Sequence, residues 1–323
     1  MASLGGHLEL LLGLDPCFEG YDRVWVTAAG DAAAPLLARG DRVCAVPRFS
    51  RARPWTAIDN VIRSLVWAVR ERPERMVTVG AGSVVAFSTF ARLLGAKTTF
   101  VETTARVTSP SASGRVLARL ASRVLVQWPE MARVYPHAVV CRPALWEDIG
   151  EPSGRERSGT FVAVGTHRHP FDRLLEVVDR AVEEKLLSGP VVAQSGTCRY
   201  RPANFDARPY MSRDELTDAI DAAEYVVCHA GSGIISAALR RGHMPLVLPR
   251  LARHREHVDD HQVQIVEKLA SLGLIVSLEE RISAQDVAKA DGGVGRPALA
   301  DGPSVKEVLR RELELHGEPA AAA

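Results

Sequence analysis

YVVCHAGSGIISAALRRGHMPLVLPRLARHREHVDDHQ, residues 225–262, is the stretch that decides the fold of the second half of the chain. It begins with a short apolar, β-branched run, passes through a small-residue turn at residues 229–233, and predicts a helix over residues 234–241. A second apolar run at residues 244–248 leads into a polar loop that ends at residues 259–262. This order of strand, glycine turn, helix, strand and polar loop is typical of α/β proteins, whose ligands bind beyond the carboxyl ends of the strands.

The glycine turn at residues 229–233 suits an anion. Glycine lets the backbone approach a ligand closely, and the first N–H groups of a helix, together with its dipole, attract phosphate. An ordinary tight turn between a strand and a helix has the same local sequence, so the turn alone leaves both interpretations open.

Composition indicates a globular protein with two domains. The chain has 323 residues, of which 46% are hydrophobic and 24% charged, and its net charge of +1 does not call for a nucleic-acid partner. Its five cysteines are scattered without disulfide or metal-ligand spacing. The sequence shows no signal peptide and no apolar run long enough to span a bilayer, which predicts a cytoplasmic location.

Strand and helix patterns alternate in two blocks. The first occupies residues 1–150 and the second residues 159–302, with a polar linker at residues 151–158 between them. A helix is expected at residues 303–316, followed by a disordered tail at residues 317–323. The pattern predicts an α/β fold with two Rossmann-like, doubly wound domains facing a cleft. Because a glycine turn already stands at Gly5-Gly6, either the first strand is only a few residues long or the true start of the chain lies upstream.

An amphipathic helix is predicted over residues 58–70, with apolar residues at helical spacing and several arginines between them. Two placements fit this pattern. The preferred one packs the apolar face on a sheet and leaves the arginines in solvent. The other lays the helix along a membrane surface.

Several motifs in both halves resemble MurG-like GT-B glycosyltransferases of family 28, and in particular bacterial exopolysaccharide glycosyltransferases. In the second half they are VGTHRHPFDRLL (164–175), HAGSGIISAAL (229–239) and EHVDDHQ (256–262); in the first half they are GGHLELL (5–11), FVETTARVTSPSASGRVL (100–117) and VQWPEM (126–131). In similar systems the two halves are often separate proteins, whereas this chain carries both. The resemblance implies a GT-B fold and a UDP-sugar that is a substrate, with no cofactor.

The resemblance also implies donor-binding positions on the second domain. They are Gly165, Thr166, His229, Gly231, Ser232, Gly233, Asp260 and Gln262. The glycine turn would hold the diphosphate, while Asp260 and Gln262 would bond sugar hydroxyls. Arg250, Arg253 and Arg255 stand in the preceding loop, and guanidinium groups pair well with a carboxylate. We therefore expect UDP-glucuronate as donor, with Arg250 among its ligands and UDP-N-acetylglucosamine as the next choice.

The chemistry implied for the first domain is inverting transfer, in which a base deprotonates the acceptor hydroxyl. His7 is the expected base because histidine titrates near neutral pH, and Glu102 is the alternative base or the carboxylate that orients the acceptor. Acceptor contacts are expected from Gly6, Arg106, Ser109 and Ser113. The acceptor would be a polyprenyl-diphosphate-linked sugar, which implies peripheral association with the inner face of the cell membrane.

No metal is expected, because the chain has no DxD motif and the histidines near Asp259 and Asp260 are irregularly spaced. Three other functions stay open: transfer to a soluble acceptor, UDP-sugar binding without catalysis, and epimerisation by a GT-B enzyme. Some candidate residues also have plain structural interpretations. Glu102 could pair with Arg106, His229 could bond its own turn, and Gln127-Trp128 is expected to pack rather than to touch substrate.

Overall fold

The computed structural model describes residues 1, 6–29, 34–48, 55–145, 149–151, 156–166, 168–295 and 302–314. The chain divides into an N-terminal unit, Met1–Ala144 with Ala300–Ala323, and a C-terminal unit, Leu145–Leu299. The predicted tail and half of the predicted linker lie outside the described residues.

The described part of the N-terminal unit is built from alternating strands and helices. In chain order these are α1 (Gly6–Gly13), β1 (Trp25–Ala28), α2 (Ala34–Ala38), β2 (Val43–Val46), α3 (Trp55–Glu71), β3 (Arg75–Thr78), α4 (Val85–Leu93), β4 (Lys97–Val101), α5 (Ala112–Leu120), β5 (Arg123–Val126) and β6 (Val139–Val140). Strands β1 and β2 pair in parallel, and β3 to β6 form a second parallel sheet in the order β3-β4-β5-β6.

Met1 occupies the position of a first strand beside β3. Its amino group donates to the carbonyl of Val77 over 2.7 Å, and its own carbonyl accepts from the N–H of Val79 over 3.1 Å, which is the pattern of parallel pairing. Its side chain is buried in a cluster with Val26 of β1 and Met76 of β3. The very short first strand expected from the sequence is therefore represented here by a single paired residue, and residues 2–5 lie outside the described part.

Helix α3 turns its apolar side outward. The exposed fractions of Ile58, Ile62 and Val66 are 64%, 56% and 58%, whereas Asn60 and Ser64 face the interior. Asn60 Nδ2 donates to the carbonyls of Pro47 and Ser83 over 2.6 and 2.9 Å, which satisfies its amide. The preferred sequence interpretation, an apolar face packed on the sheet, is therefore wrong, because buried polar bonds hold the opposite face inward.

The C-terminal unit restarts the alternation, and the final helix of the chain belongs to the N-terminal unit. The elements are β7 (Thr160–Ala163), α6 (Asp172–Glu183), β8 (Val191–Gln194), β9 (Ala207–Arg208), α7 (Arg213–Ala222), β10 (Tyr225–His229), α8 (Ser232–Leu239), β11 (Leu246–Leu248), α9 (His261–Ser271), β12 (Val276–Ser277), α10 (Ala284–Asp291) and α11 (Val305–Glu314). Helix α11 buries Val305, Leu309 and Leu313, and Val305 and Leu309 join the core formed by α1, β1 and β3 to β5.

The sheet of the C-terminal unit is parallel throughout and has the order β12-β11-β10-β7-β8-β9. The chain winds outward from β7 in one direction and from β10 in the other, so the strand order reverses between these two neighbours. Ligands of doubly wound sheets bind at such a switch point, outside the carboxyl ends of the strands. The prediction of doubly wound, Rossmann-like domains is confirmed, and it directs attention to the residues that follow β7 and β10.

Among the described residues, no helix is long and apolar enough to cross a membrane.

Candidate active site

His229 ends β10 at the switch point. Its Nδ1 lies 3.2 Å from the carbonyl oxygen of Ala163, the last residue of β7. Since a carbonyl can only accept a hydrogen bond, Nδ1 carries the hydrogen and Nε2 carries the lone pair. The ring thus bridges the carboxyl ends of the two neighbouring strands.

Two glycines make room for this imidazole. A Cβ atom at Gly165 would lie 2.5 Å from Cε1 of His229, and a Cβ atom at Gly231 would overlap Nε2 of the same ring. Gly165 also has a φ of +83°, which other residues rarely adopt. The two glycines are therefore needed to leave space for the His229 ring, whether or not a ligand also binds there. The sequence pattern alone does not reveal this steric role.

Helix α8 begins directly after this turn. Gly231 is its N-cap, and Ser232 and Gly233 form its first turn. The first N–H groups of an α-helix have no partner within the helix, so these amides present donors and the positive dipole end beside His229. The turn and the helix start suit a diphosphate. Thr166 is exposed in the loop that follows β7. Contact with a ligand stays a prediction for all the residues expected here: Gly165, Thr166, His229, Gly231, Ser232 and Gly233.

Arg250 does not face a ligand. Its side chain is 1% exposed, and its guanidinium donates to the carbonyls of Val164, His169 and Glu256 over 2.7, 2.8 and 3.1 Å. The guanidinium carbon also lies 4.8 Å from the ring centre of Phe171. Burial lowers the pKa of Arg250 to about 10, which leaves it charged at neutral pH. The prediction that Arg250 binds a donor carboxylate is therefore wrong, because the side chain is buried and both terminal nitrogens donate to backbone carbonyls.

The loop after β11 is also held by an ion pair between residues that are far apart in the sequence. Arg173 of α6 meets Glu256 through two nitrogen–oxygen contacts of 3.0 and 2.9 Å, and Glu256 also accepts from the backbone of Leu251. Arg173 and Glu256 are 83 positions apart, so only the folded sheet brings them together. Together with Arg250, this pair anchors the backbone that leads into α9.

Asp260 and Gln262 lie at the start of α9, where Asp260 is the N-cap and Gln262 stands in the first turn. Sequence reasoning had placed Gln262 in a loop. The Asp260 carboxylate accepts from Ala252 N over 2.7 Å, and the amide oxygen of Gln262 accepts from Arg250 N over 2.9 Å. Each residue thus has one oxygen committed to the loop, and their contact with sugar hydroxyls stays a prediction.

In the N-terminal unit, His7 lies in the first turn of α1, which begins at Gly6, and it reaches the carboxyl end of β3. His7 Nδ1 is 2.9 Å from the carbonyl oxygen of Val79, so Nδ1 carries the hydrogen and the basic lone pair is on Nε2. A Cβ atom at Gly80, whose φ is +95°, would lie 3.7 Å from the His7 ring. His7 is thus seated against β3, and its action as a general base stays a prediction.

Glu102 is enclosed at the end of β4. It is 1% exposed, accepts from Thr103 N and from the hydroxyl of Tyr135 over 3.1 Å each, and would be 2.6 Å from a Cβ at Gly114 of α5. Burial raises the pKa of Glu102, while these bonds act in the opposite direction. In this enclosed position Glu102 holds the loop before α5. Its action as the alternative base or as the carboxylate that orients the acceptor stays a prediction.

That loop carries the remaining acceptor-side candidates. Trp128 Nε1 donates to Thr104 O over 2.7 Å and Gln127 Nε2 donates to Glu102 O over 2.9 Å. Both buried side chains therefore hold the backbone of the loop, which agrees with the expectation that they pack inside the protein. Arg106 and Ser109 are half-buried on it. Ser113, in the first turn of α5, lies 3.3 Å from Ser111 Oγ. Contact of Arg106, Ser109 and Ser113 with an acceptor stays a prediction.

Two protein families match the two units separately. Residues 42–142 match the family described as "Oligosaccharide biosynthesis protein Alg14 like", and residues 160–288 match the "Glycosyltransferase family 28 C-terminal domain". The first match contains Gly80, Glu102 and the loop before α5, and the second contains the β7–β10 switch point and the start of α9.

Relatives and solved structures agree with these matches. The UDP-N-acetylglucosamine–N-acetylmuramyl-(pentapeptide) pyrophosphoryl-undecaprenol N-acetylglucosamine transferase of Cupriavidus necator is 27% identical over 349 residues, covering 96% of this chain and 94% of the relative. Acinetobacter baumannii MurG superposes with a TM-score of 0.63 at 14% identity, covering 97% of both chains. Methanocaldococcus jannaschii UDP-GlcNAc 2-epimerase reaches 0.64 at 8% identity, also covering 97% of both, which shows the shared fold alone.

The fold and these matches define the chain as a glycosyltransferase with the GT-B fold. Within that class it is similar to MurG, and its first half matches the Alg14-like family while its second half matches the family 28 C-terminal domain.

Proposed function

We propose that this chain is an inverting glycosyltransferase that moves a sugar from a UDP-sugar to a polyprenyl-diphosphate-linked acceptor in the synthesis of a cell-surface polysaccharide. The observation that carries the proposal is the group at the β7–β10 switch point, where Gly165 and Gly231 enclose the His229 ring beside the start of α8. The Cupriavidus necator relative, whose name states transfer to a pyrophosphoryl-undecaprenol acceptor, supports the same class of acceptor.

The leaving diphosphate would be stabilised by the α8 N-terminus. The amides of Ser232 and Gly233 stand at the positive end of the helix dipole, which favours the charge that develops on the departing UDP. Donors already fixed by the backbone need no reorganisation during the reaction, so this arrangement performs the role that a divalent metal has in other transferases.

His7 would be the base that deprotonates the acceptor hydroxyl. Its Nδ1–H is bonded to Val79, which places the lone pair on Nε2, and a positioned base contributes roughly 10²–10⁴-fold to the rate. The enclosed Glu102 would instead keep the loop with Arg106 and Ser109 in place.

The donor sugar is best assigned as N-acetylglucosamine, in agreement with the name of the Cupriavidus necator relative. Glucuronate was the first expectation, but the burial of Arg250 removes one of the three arginines on which it rested. Arg253 and Arg255 are exposed on the same loop and keep UDP-glucuronate as the second candidate.

These assignments are tested by measuring UDP release from a panel of UDP-sugars, with and without lipid acceptor extracted from membranes. We expect acceptor-dependent release with UDP-N-acetylglucosamine. Release with UDP-glucuronate alone, lost in the Arg253→Ala, Arg255→Ala double variant, would instead establish the second donor. An isomerised nucleotide sugar without UDP release would identify an epimerase, and UDP-sugar binding without any turnover would identify a binding protein.

Replacing His7 by Gln separates catalysis from binding. We expect kcat to fall by roughly 10²–10⁴-fold while the Kd for UDP changes little, because His7 and the switch point of the C-terminal unit belong to separate units. The control is His137→Gln, a histidine of the same unit that is remote in sequence from the proposed base. Equal activity of His7→Gln and wild type would remove His7 from the mechanism.

The outward face of α3 is proposed as the contact with the membrane. Large apolar side chains line it: Trp55, Ile58, Val61, Ile62, Leu65, Val66 and Val69, each between 44% and 64% exposed. Arg48, Arg63, Arg70 and Arg72 are basic residues on or near the same helix, of which Arg63 pairs with Asp59 at 2.8 Å. An apolar face with basic neighbours fits a surface of anionic lipid, and it agrees with an acceptor that resides in the bilayer.

Vesicle sedimentation tests this contact. Reversing the charge of two arginines, Arg63→Glu with Arg70→Glu, is expected to weaken binding to anionic vesicles at least about tenfold, since each basic residue near the surface contributes about 1 kcal/mol. The matched control is Arg310→Glu with Arg311→Glu, the same charge change on exposed positions of α11. Equal sedimentation of both variants and wild type would remove α3 from the membrane contact.

A further inference from the structure

Three side chains at the start of α9 converge on one point. Nδ1 of His257 lies 3.3 Å from Oδ1 of Asp259, and Nδ1 of His261 contacts the same oxygen. The two imidazole rings meet edge to face, with centres 4.6 Å apart and planes at 73°. One ligand atom from each of the three residues lies within 4.8 Å of the others. The three residues are irregularly spaced in the sequence, but the bend of the chain into α9 brings their side chains together.

The backbone around this cluster is already fixed. On one side, Glu256 is held by Arg173 and its carbonyl accepts from Arg250; on the other, Asp260 accepts from Ala252 N. The two histidine side chains are 15% exposed and the Asp259 side chain is 41% exposed, so the cluster has a protein wall and an open side. A site whose ligands are held in this way loses little conformational entropy when an ion binds.

The donor set selects the kind of ion. Two imidazole nitrogens and one carboxylate oxygen, with an open side for water, match zinc sites that have three protein ligands. Nitrogen ligands favour zinc, nickel, copper and cobalt, whereas magnesium and calcium prefer oxygen alone. Ligand atoms around tetrahedral zinc lie ~3.3 Å apart, as the His257–Asp259 pair already does. All three ligand atoms lie within 4.8 Å of one another, so a side-chain shift of His261 would complete the set.

We propose that His257, Asp259 and His261 form a binding site for one divalent transition-metal ion, with Zn²⁺ the best fit. Coordination would replace the contacts that Asp259 makes with both rings in this structure. Arg253 and Arg255 lie on the same loop, and their positive charge opposes a purely electrostatic site. The affinity must therefore come from the imidazole nitrogens, which further disfavours magnesium.

A bound ion would act on the donor side of the proposed reaction, and this consequence rests on the proposed function. Asp260 and Gln262, the predicted sugar contacts, alternate in the chain with the metal ligands Asp259 and His261. Fixing the first turn of α9 should therefore change the KM for the UDP-sugar more than it changes kcat. The ion takes no part in the chemical step.

The binding site is tested without any enzyme assay, by titrating Co²⁺ into the full chain after removal of metals with a chelator. We expect one equivalent of Co²⁺ to give visible absorption bands of tetrahedral or five-coordinate cobalt, which Zn²⁺ then abolishes and Mg²⁺ does not. Asp259→Asn and His261→Ala should each weaken binding at least about 100-fold, since even residues that only orient a metal ligand account for 10–100-fold.

His254→Ala is the matched control, because His254 is exposed on the same loop but outside the cluster, and it should bind cobalt as wild type does. If His261→Ala fails to fold, as judged by circular dichroism, His261→Gln takes its place. A thiolate-to-cobalt band, equal affinity in all variants, or no saturable binding would each overturn the proposal. The last result would leave a hydrogen-bonded triad only. None of these readings depends on turnover, so a chain that binds cobalt but transfers no sugar would refute the proposed function alone.

Discussion

His229 occupies space that only glycine leaves open on both sides. The ring is held by its bond to Ala163 and cannot withdraw without losing it. Gly165 follows β7 and Gly231 follows β10, yet both are required by the same side chain. The glycine turn and the histidine ring are therefore energetically coupled, so a substitution at one changes the effect of a substitution at the other.

Gly231→Ala should expose this coupling. Its new methyl group would overlap the His229 ring, and overpacking of this kind costs about 1–3 kcal/mol. Adding His229→Ala should recover most of that loss, because the clash is removed with the ring. Urea unfolding of the two single variants and the double variant gives the coupling energy. Gly13→Ala, where nothing lies within 4 Å of the added carbon, is expected to stay within about 1 kcal/mol of wild type. Additive effects of Gly231→Ala and His229→Ala would contradict the coupling.

The element that most determines the donor side is the loop between β11 and α9. Its shape follows from Arg250, which binds three backbone carbonyls, and from the Arg173–Glu256 pair. Loops of this length that carry binding residues are usually held by a rigid scaffold, and here the scaffold is reached through charged side chains rather than apolar packing.

Arg250→Met should therefore lower stability whatever the donor is. Methionine keeps the contact with Phe171 but leaves three carbonyls without their donor, and each buried polar group left unpaired costs about 1–3 kcal/mol. We expect a loss of at least about 3 kcal/mol in urea unfolding, with faster amide exchange in the loop. Arg253→Met makes the same chemical change at an exposed position of the loop and should change stability by less than about 0.5 kcal/mol. Equal stabilities of the two variants would return Arg250 to the donor site.

Elements of this chain could be predicted where their cause is local. Short apolar runs, glycines and a capping serine predict three such features: the strand that ends at His229, the helix after it and the capping of α7 by Ser212. The burial of Arg250 could not be predicted, because it depends on carbonyls supplied by Val164 and His169 far away in sequence. The outward orientation of the apolar face of α3 could not be predicted either. Periodicity shows that a helix has two different faces, but it does not show which of them packs against the rest of the protein.

The C-terminal unit has one parallel sheet and the N-terminal unit has two, and each unit has a core of its own. The C-terminal core is built around Phe171, Val227 and Leu248, and the N-terminal core around Leu11, Leu125 and Leu309. A chain with two cores need not unfold in one step, so a single midpoint does not describe its stability. Four of the five tryptophans, Trp25, Trp55, Trp67 and Trp128, lie in the N-terminal unit, so intrinsic fluorescence reports mainly on that unit.

The C-terminal unit should lose stability in mild acid because of His243. This side chain is 5% exposed, its Nε2 is 2.8 Å from Ile220 O, and burial, followed by nearby Arg157, lowers its pKa from 6.5 to about 4. The unfolded chain therefore takes up a proton between pH 6.5 and 4 that the folded chain refuses. The stabilisation is complete above pH 6.5 and is lost as the pH falls, by about 2 kcal/mol at pH 5.

Amide exchange of β10 and β11, measured at pH 7.5 and pH 5 and corrected for intrinsic rates, follows the C-terminal unit alone. His243→Gln keeps a donor for Ile220 but does not titrate, so about half of the acid-induced loss should disappear. The other half should remain because burial also lowers the pKa of His257 to about 4. His254→Gln, at an exposed position, should keep the full pH dependence. If His243→Gln and wild type lose equal stability between the two pH values, the acid sensitivity does not arise at His243.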